Sequence, residues 1–133
     1  MKYLIDTDWA VNWLRGKDQV VKKLSHLQTE GLGLSVISLA ELYAGIYRSK
    51  NYLATKQGLD DFLGIATICY INEDVCQIFG KENAILRGEG KIIEDFDLLI
   101  ASTCLYYDLT LLTNNVKHYS RIESLRILSE NEI

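Results

Sequence analysis

Three acidic residues, Asp6, Glu41 and Asp97, stand where apolar segments give way to helices or where helices begin. Asp6 ends Tyr3-Leu4-Ile5-Asp6, Glu41 lies just beyond Leu34-Ser35-Val36-Ile37, and Asp97 opens Leu98-Leu99-Ile100-Ala101. If the strands are parallel in one sheet, the three acids meet at its carboxyl edge, where open α/β sheets place their ligands. Like charges gathered that closely need a cation between them. The first expectation is therefore a metal site.

Each acid also has a plainer explanation. Asp6 can cap a helix, as Asp and Thr do well, but Asp6-Thr7-Asp8 supplies more polar groups than a cap needs. Ser38-x-x-Glu41 matches a capping box. Glu41 projects about 160–200° from the apolar stripe of Leu39, Leu42, Tyr43 and Ile46, at roughly 100° per residue; it faces either solvent or the cleft above the strand ends. One of Asp95 and Asp97 serves as a helix-capping or first-turn acid, which leaves the other unexplained, and Asp97 is the better placed to reach the sheet edge. Leu112-Thr113-Asn114-Asn115 ends a strand in residues that also suit a turn. His118 offers a base, although a lone His beside Tyr119 is commonly a packing or surface residue.

The elements that must position these groups follow from hydrophobic spacing. Strands are expected near residues 2–5, 34–37, 65–71, 110–113 and 126–128. Helices are expected over 9–14, 18–28, 38–49, 51–63, 73–87 and 95–107, with Gly16, Gly31, Gly33, Gly88 and Gly90 as breaks. Strands alternating with helices imply a three-layer α/β/α fold around a mostly parallel sheet of about five strands.

The chain of 133 residues fits a single domain spanning 1–133. It is 48% hydrophobic and 24% charged, ordinary for a globular protein. No leader pattern and no membrane-length apolar run are visible, so a cytoplasmic location without membrane contact is expected. Cys69, Cys76 and Cys104 are odd in number and lack CxxC spacing, which argues for small core residues over disulfides or zinc. The net charge of −4 argues against non-specific coating of nucleic acid. It does not argue against an enzyme holding nucleic acid through a metal and a few local cations.

In combination these segments resemble the PIN-domain ribonucleases, in particular the VapC-type toxins of toxin–antitoxin pairs. The resemblance is carried by Leu4-Ile5-Asp6-Thr7-Asp8, Ser38-Leu39-Ala40-Glu41-Leu42-Tyr43-Ala44-Gly45 and Ala84-Ile85-Leu86-Arg87-Gly88-Glu89-Gly90. It continues through Phe96-Asp97-Leu98-Leu99-Ile100-Ala101 and Leu112-Thr113-Asn114-Asn115-Val116-Lys117-His118-Tyr119-Ser120-Arg121-Ile122. Their order and spacing are more specific than any one of them.

The resemblance implies metal-dependent RNA cleavage that leaves 5′-phosphate and 3′-hydroxyl ends. It assigns Asp6, Glu41 and Asp97 as acidic ligands, with Thr7, Asp8, Ser38, Asp95 and Thr113 in support. Many relatives carry an acid at or near the fourth polar corner, where this chain has Asn115 and His118. Asn115 still offers an amide oxygen to a metal or its water. Oxygen donors suit Mg2+ or Mn2+, which accept phosphate oxygens and activate water. Three carboxylates with one divalent ion remain net negative, so a second ion is expected to arrive with the substrate phosphate. Arg87, Lys91 and Lys117 flank the expected site as candidate phosphate contacts. The resemblance further implies a small VapB-like antitoxin, docking near Trp9, Trp13, Tyr43 and Tyr47, and a homodimer.

Three other readings are weaker. A haloacid-dehalogenase-type phosphatase shares a strand ending in D-x-D, but only 18 residues follow Asn115 and they hold no acidic pair after a strand. A response-regulator receiver needs an Asp after its third strand, where this chain has Ile71-Asn72. A catalytically weak PIN fold that binds RNA or protein retains some support from Asn115.

Overall fold

The computed structural model describes residues 1–132. Five strands form one sheet: β1 (Tyr3–Ile5), β2 (Leu32–Ser35), β3 (Thr67–Cys69), β4 (Thr110–Leu112) and β5 (Arg126–Leu128). Seven helices are interleaved: α1 (Thr7–Leu14), α2 (Asp18–Leu27), α3 (Val36–Arg48), α4 (Tyr52–Leu63), α5 (Glu73–Gly88), α6 (Asp95–Tyr106) and α7 (Val116–Tyr119). Every strand pairing is parallel and the spatial order is β3-β2-β1-β4-β5. The chain steps outward from β1 through β2 to β3, then returns to the other side of β1 as β4. The switch point of the sheet thus lies between β1 and β4, and open α/β sheets bind ligands beyond the strand ends at such a point.

The period-two alternation of strand side chains divides the core into two layers. Tyr3 and Ile5 pack with Trp9, Val20, Leu24, Leu42, Ile46, Leu59 and Phe62, from α1–α4. Leu4, between them in sequence, packs on the opposite face with Leu86, Leu98, Ile100, Ala101 and Cys104, from α5 and α6. The expected three-layer architecture is therefore present. Gly31 makes the approach of β2 to β1 possible: at φ 92 its carbonyl accepts the N–H groups of Lys2 and Tyr3, and an added Cβ would lie 2.7 Å from Met1 Cα.

Several boundaries move. The second strand begins and ends earlier than residues 34–37, and its helix starts at Val36 instead of Ser38. The cause is Ser35, whose Oγ accepts the Ile37 N–H at 3.1 Å and caps α3. Ser38 is consequently not the cap of a capping box but a buried residue in the first turns of the helix. The third strand is confined to Thr67–Cys69, and the one-turn α7 has too few residues to show periodicity. Cys76 is exposed, not a core residue, while Cys69 and Cys104 are buried as expected. Among the described residues, no helix is long and apolar enough to cross a membrane.

Candidate active site

Asp6 leaves the end of β1 and caps α1: its Oδ1 accepts the Thr7 N–H at 2.8 Å, and its own N–H is tied to Leu112 O of β4 at 2.9 Å. The carboxyl group is thereby held at the switch point, almost fully buried. Thr113, at the end of β4, donates its hydroxyl to Asp6 Oδ2 at 2.7 Å and accepts the Asn115 N–H at 3.0 Å. Asp8 bridges the two loops, accepting the Trp9 N–H at 2.7 Å on one oxygen and the Asn114 N–H at 2.9 Å on the other.

From the neighbouring helix, Glu41 meets the same group of residues. Thr7 Oγ1 lies 2.7 Å from Glu41 Oε1 and 2.9 Å from Ser38 Oγ. A carboxylate only accepts, so the Thr7 proton goes to Glu41 and the Ser38 hydroxyl supplies the other bond. The orientation left open by the helix geometry is settled: Glu41 faces the cleft. Asp97 sits in the first turn of α6, half-buried, and closes the far side.

Asp6, Thr7, Asp8, Glu41, Asp97, Asn114 and Asn115 line one pocket of about 470 Å³. Ser38 and Thr113 stand behind it through the bonds just given. His118 is exposed on α7, with Nδ1 3.1 Å from Asn115 Nδ2. Asp95 does not belong to the pocket. It precedes Asp97 by two residues, roughly 200° around the helix, and is exposed in a separate cleft of about 250 Å³ with Arg87 and Lys91. Lys117 is exposed at the start of α7. Two site residues escape the sequence pattern. Asn114 reads as a turn residue, yet it lines the pocket and accepts the Trp9 indole N–H at 3.3 Å. Tyr119 is fully buried and donates its hydroxyl to Asp6 Oδ1 at 3.3 Å; only knowledge of the single turn of α7 brings it beneath Asp6.

The electrostatics of the pocket are those of anions short of a counter-charge. Burial, reinforced by Asp8, pushes the Asp6 carboxyl up to about 7 despite the bonds from Thr113 and Thr7. Burial also raises Asp8. Asp97 is raised by burial and then by Glu41 and Glu94. The ion pairs among the described residues are Lys2–Glu30, Lys56–Asp60, Lys91–Glu89 and Arg126–Asp108, so neither lysine nor arginine neutralises the pocket.

The donor set is entirely oxygen, which fits a hard divalent cation. The acids ring the pocket without converging: among the described residues, no three His, Cys, Asp or Glu side chains form a ready cage for an ion. That spacing also suits Mg2+, which keeps much of its water and is held by one or two carboxylates together with substrate phosphate, not by an all-protein cage.

Known proteins resemble the chain in sequence and in overall fold. The PIN domain model matches residues 3–124. Ribonuclease VapC1 of Haemophilus influenzae is 30% identical over 128 residues, covering 95% of this chain and 96% of that protein. Ribonuclease VapC19 of Mycobacterium tuberculosis is 34% identical over 125 residues, covering 92% and 96%. Among solved structures, that of VapBC2 from Rickettsia felis bound to a promoter DNA fragment superposes with a TM-score of 0.91 at 31% identity, covering 97% of this chain and 98% of its counterpart. Matched in sequence and in fold over nearly its whole length, the chain belongs to the PIN-domain family, alongside the VapC ribonucleases.

Proposed function

We propose that this protein is a Mg2+- or Mn2+-dependent endoribonuclease and the toxin of a toxin–antitoxin pair. The observation that carries the reading is the pocket itself: Asp6, Asp8, Glu41 and Asp97 face one cavity at the switch point, and among the described residues neither lysine nor arginine pairs with them. The relatives named ribonuclease support the same reading.

Asp6, Glu41 and Asp97, with the amide oxygen of Asn115, would hold the cation. When bound, it supplies charge neutralisation for a phosphate and acidifies a water. The chain's part is positional. Thr7 and Thr113 fix the Glu41 and Asp6 carboxylates with their hydroxyl protons, and Asn114 fixes Asp8 through its backbone. Hydrolysis adds water oxygen to phosphorus and breaks the bond to O3′, leaving 5′-phosphate and 3′-hydroxyl ends. Lys117, two residues beyond Asn115, and Arg87 and Lys91 in the separate cleft beside Asp95 would take flanking phosphates.

The partner is a small VapB-like antitoxin. The solved relative from Rickettsia felis is a VapBC complex, which supports such pairing. A groove of about 600 Å³ floored by Val11, Leu14, Leu42 and Ile46 shares Thr7 and Glu41 with the acid pocket, and it is the surface we assign to that partner. Of the aromatic anchors expected there, Trp9 is fully buried and contributes to the core instead, because it sits on the inner face of α1. Trp13 packs edge-on against Phe62 at 5.2 Å between ring centroids, Tyr43 is partly buried, and Tyr47 is 72% exposed. A homodimer acting in the cytoplasm completes the reading.

Brief expression in cells, followed by mapping of newly created RNA 5′-phosphate ends, tests the activity. Wild type is expected to create ends at discrete positions, and Asp6→Ala to create none. Equal sets of ends from both proteins would overturn the assignment.

A further inference from the structure

The Asp6 carboxylate receives three hydrogen bonds. Oδ1 accepts the Thr7 N–H at 2.8 Å and the Tyr119 hydroxyl at 3.3 Å, and Oδ2 accepts the Thr113 hydroxyl at 2.7 Å. An ionised carboxylate offers about four acceptor sites, two on each oxygen. Both sites on Oδ1 are therefore taken, and one on Oδ2 remains. The Tyr119 ring lies fully buried within the core of Leu4, Leu98, Ile100 and Leu111. Phenylalanine would fill that space without the cost of burying a hydroxyl. The oxygen's contribution is its bond to Asp6.

We propose that Tyr119 determines which cation the pocket accepts: by filling the second site on Asp6 Oδ1, it confines Asp6 to a single-oxygen ligand. That confinement suits the small, octahedral Mg2+ and Mn2+. It disfavours Ca2+, which takes more oxygens and often grips a carboxylate through both. The proposal rests on Asp6 being a metal ligand, as in the proposed function.

The test is calorimetric titration of the intact protein with Mn2+ alone and with Ca2+ alone. In Tyr119→Phe, which keeps the ring and its packing, the Ca2+ affinity relative to Mn2+ is expected to rise about tenfold. Ser35→Ala, which removes the α3 cap outside the pocket, is expected to keep the wild-type ratio. An unchanged ratio in Tyr119→Phe, or an equal rise in Ser35→Ala, would overturn the role of Tyr119. Asp6→Asn separates this from the underlying reading. It is expected to lose binding of both ions, and wild-type Mn2+ affinity in that variant would instead refute Asp6 as a ligand.

Discussion

At the residue scale, burying the acids of the pocket costs the fold stability. Asp6 is the clearest case, since burial raises its carboxyl from 3.8 in a free chain to about 7 in the fold. Its stabilising contribution is complete below pH about 4 and is lost as pH rises through about 7, because the unfolded chain then ionises more readily than the folded one. A rise of that size corresponds to a loss on the order of 4 kcal/mol. Asp8 and Asp97 shift in the same direction. In chelator, the melting temperature is therefore expected to fall between pH 5 and pH 8, and added Mg2+ to restore more of it at pH 8 than at pH 5. Asp6→Asn is expected to flatten much of this fall, since the Thr113 hydroxyl can turn to accept from the new amide. An unaltered slope in Asp6→Asn, followed by thermal unfolding with chelator, would contradict the assignment of the shift to Asp6.

At the scale of elements, helix starts bring the acids together, and their legibility in the sequence varies. The five strands and six longer helices show in hydrophobic spacing, most plainly where burial is continuous, as in β1 and β2; β3 and β5 are only partly covered. The boundary at Ser35 does not show: Val36 and Ile37 are β-branched and apolar, so they resemble strand, and only the Ser35 cap turns them into the first turn of α3. Removing that cap with Ser35→Ala is expected to cost about 1 kcal/mol, or about 4 °C in melting temperature. Mn2+ affinity should stay within about twofold, because Ser35 lies outside the pocket. Asp6, Glu41 and Asp97 are legible as a set because each follows an apolar run or opens one. The choice between Asp95 and Asp97 depends on helix phase, and Tyr119 depends on a single turn too short for any period. These are tertiary facts that spacing alone does not encode.

At the scale of the whole molecule, a chain of net charge −4 that acts on RNA must bring a pocket lined by four acids to a polyanion. On the proposed reading, bound cations offset that charge, and the flanking Lys117, Arg87 and Lys91 supply local attraction for the phosphates. If the proposed function is right, removing the metal should weaken RNA binding as well as abolish cleavage. The same reasoning gives the adjoining groove its importance, since Thr7 and Glu41 belong to both surfaces and a partner seated there would touch the cleft. The most direct test follows purified wild-type and Asp6→Ala protein acting on end-labelled RNA, first in chelator and then with Mg2+ or Mn2+ restored. Wild type should cleave only with the metal, and Asp6→Ala in neither condition. Cleavage that persists in chelator, or in Asp6→Ala, would contradict the account.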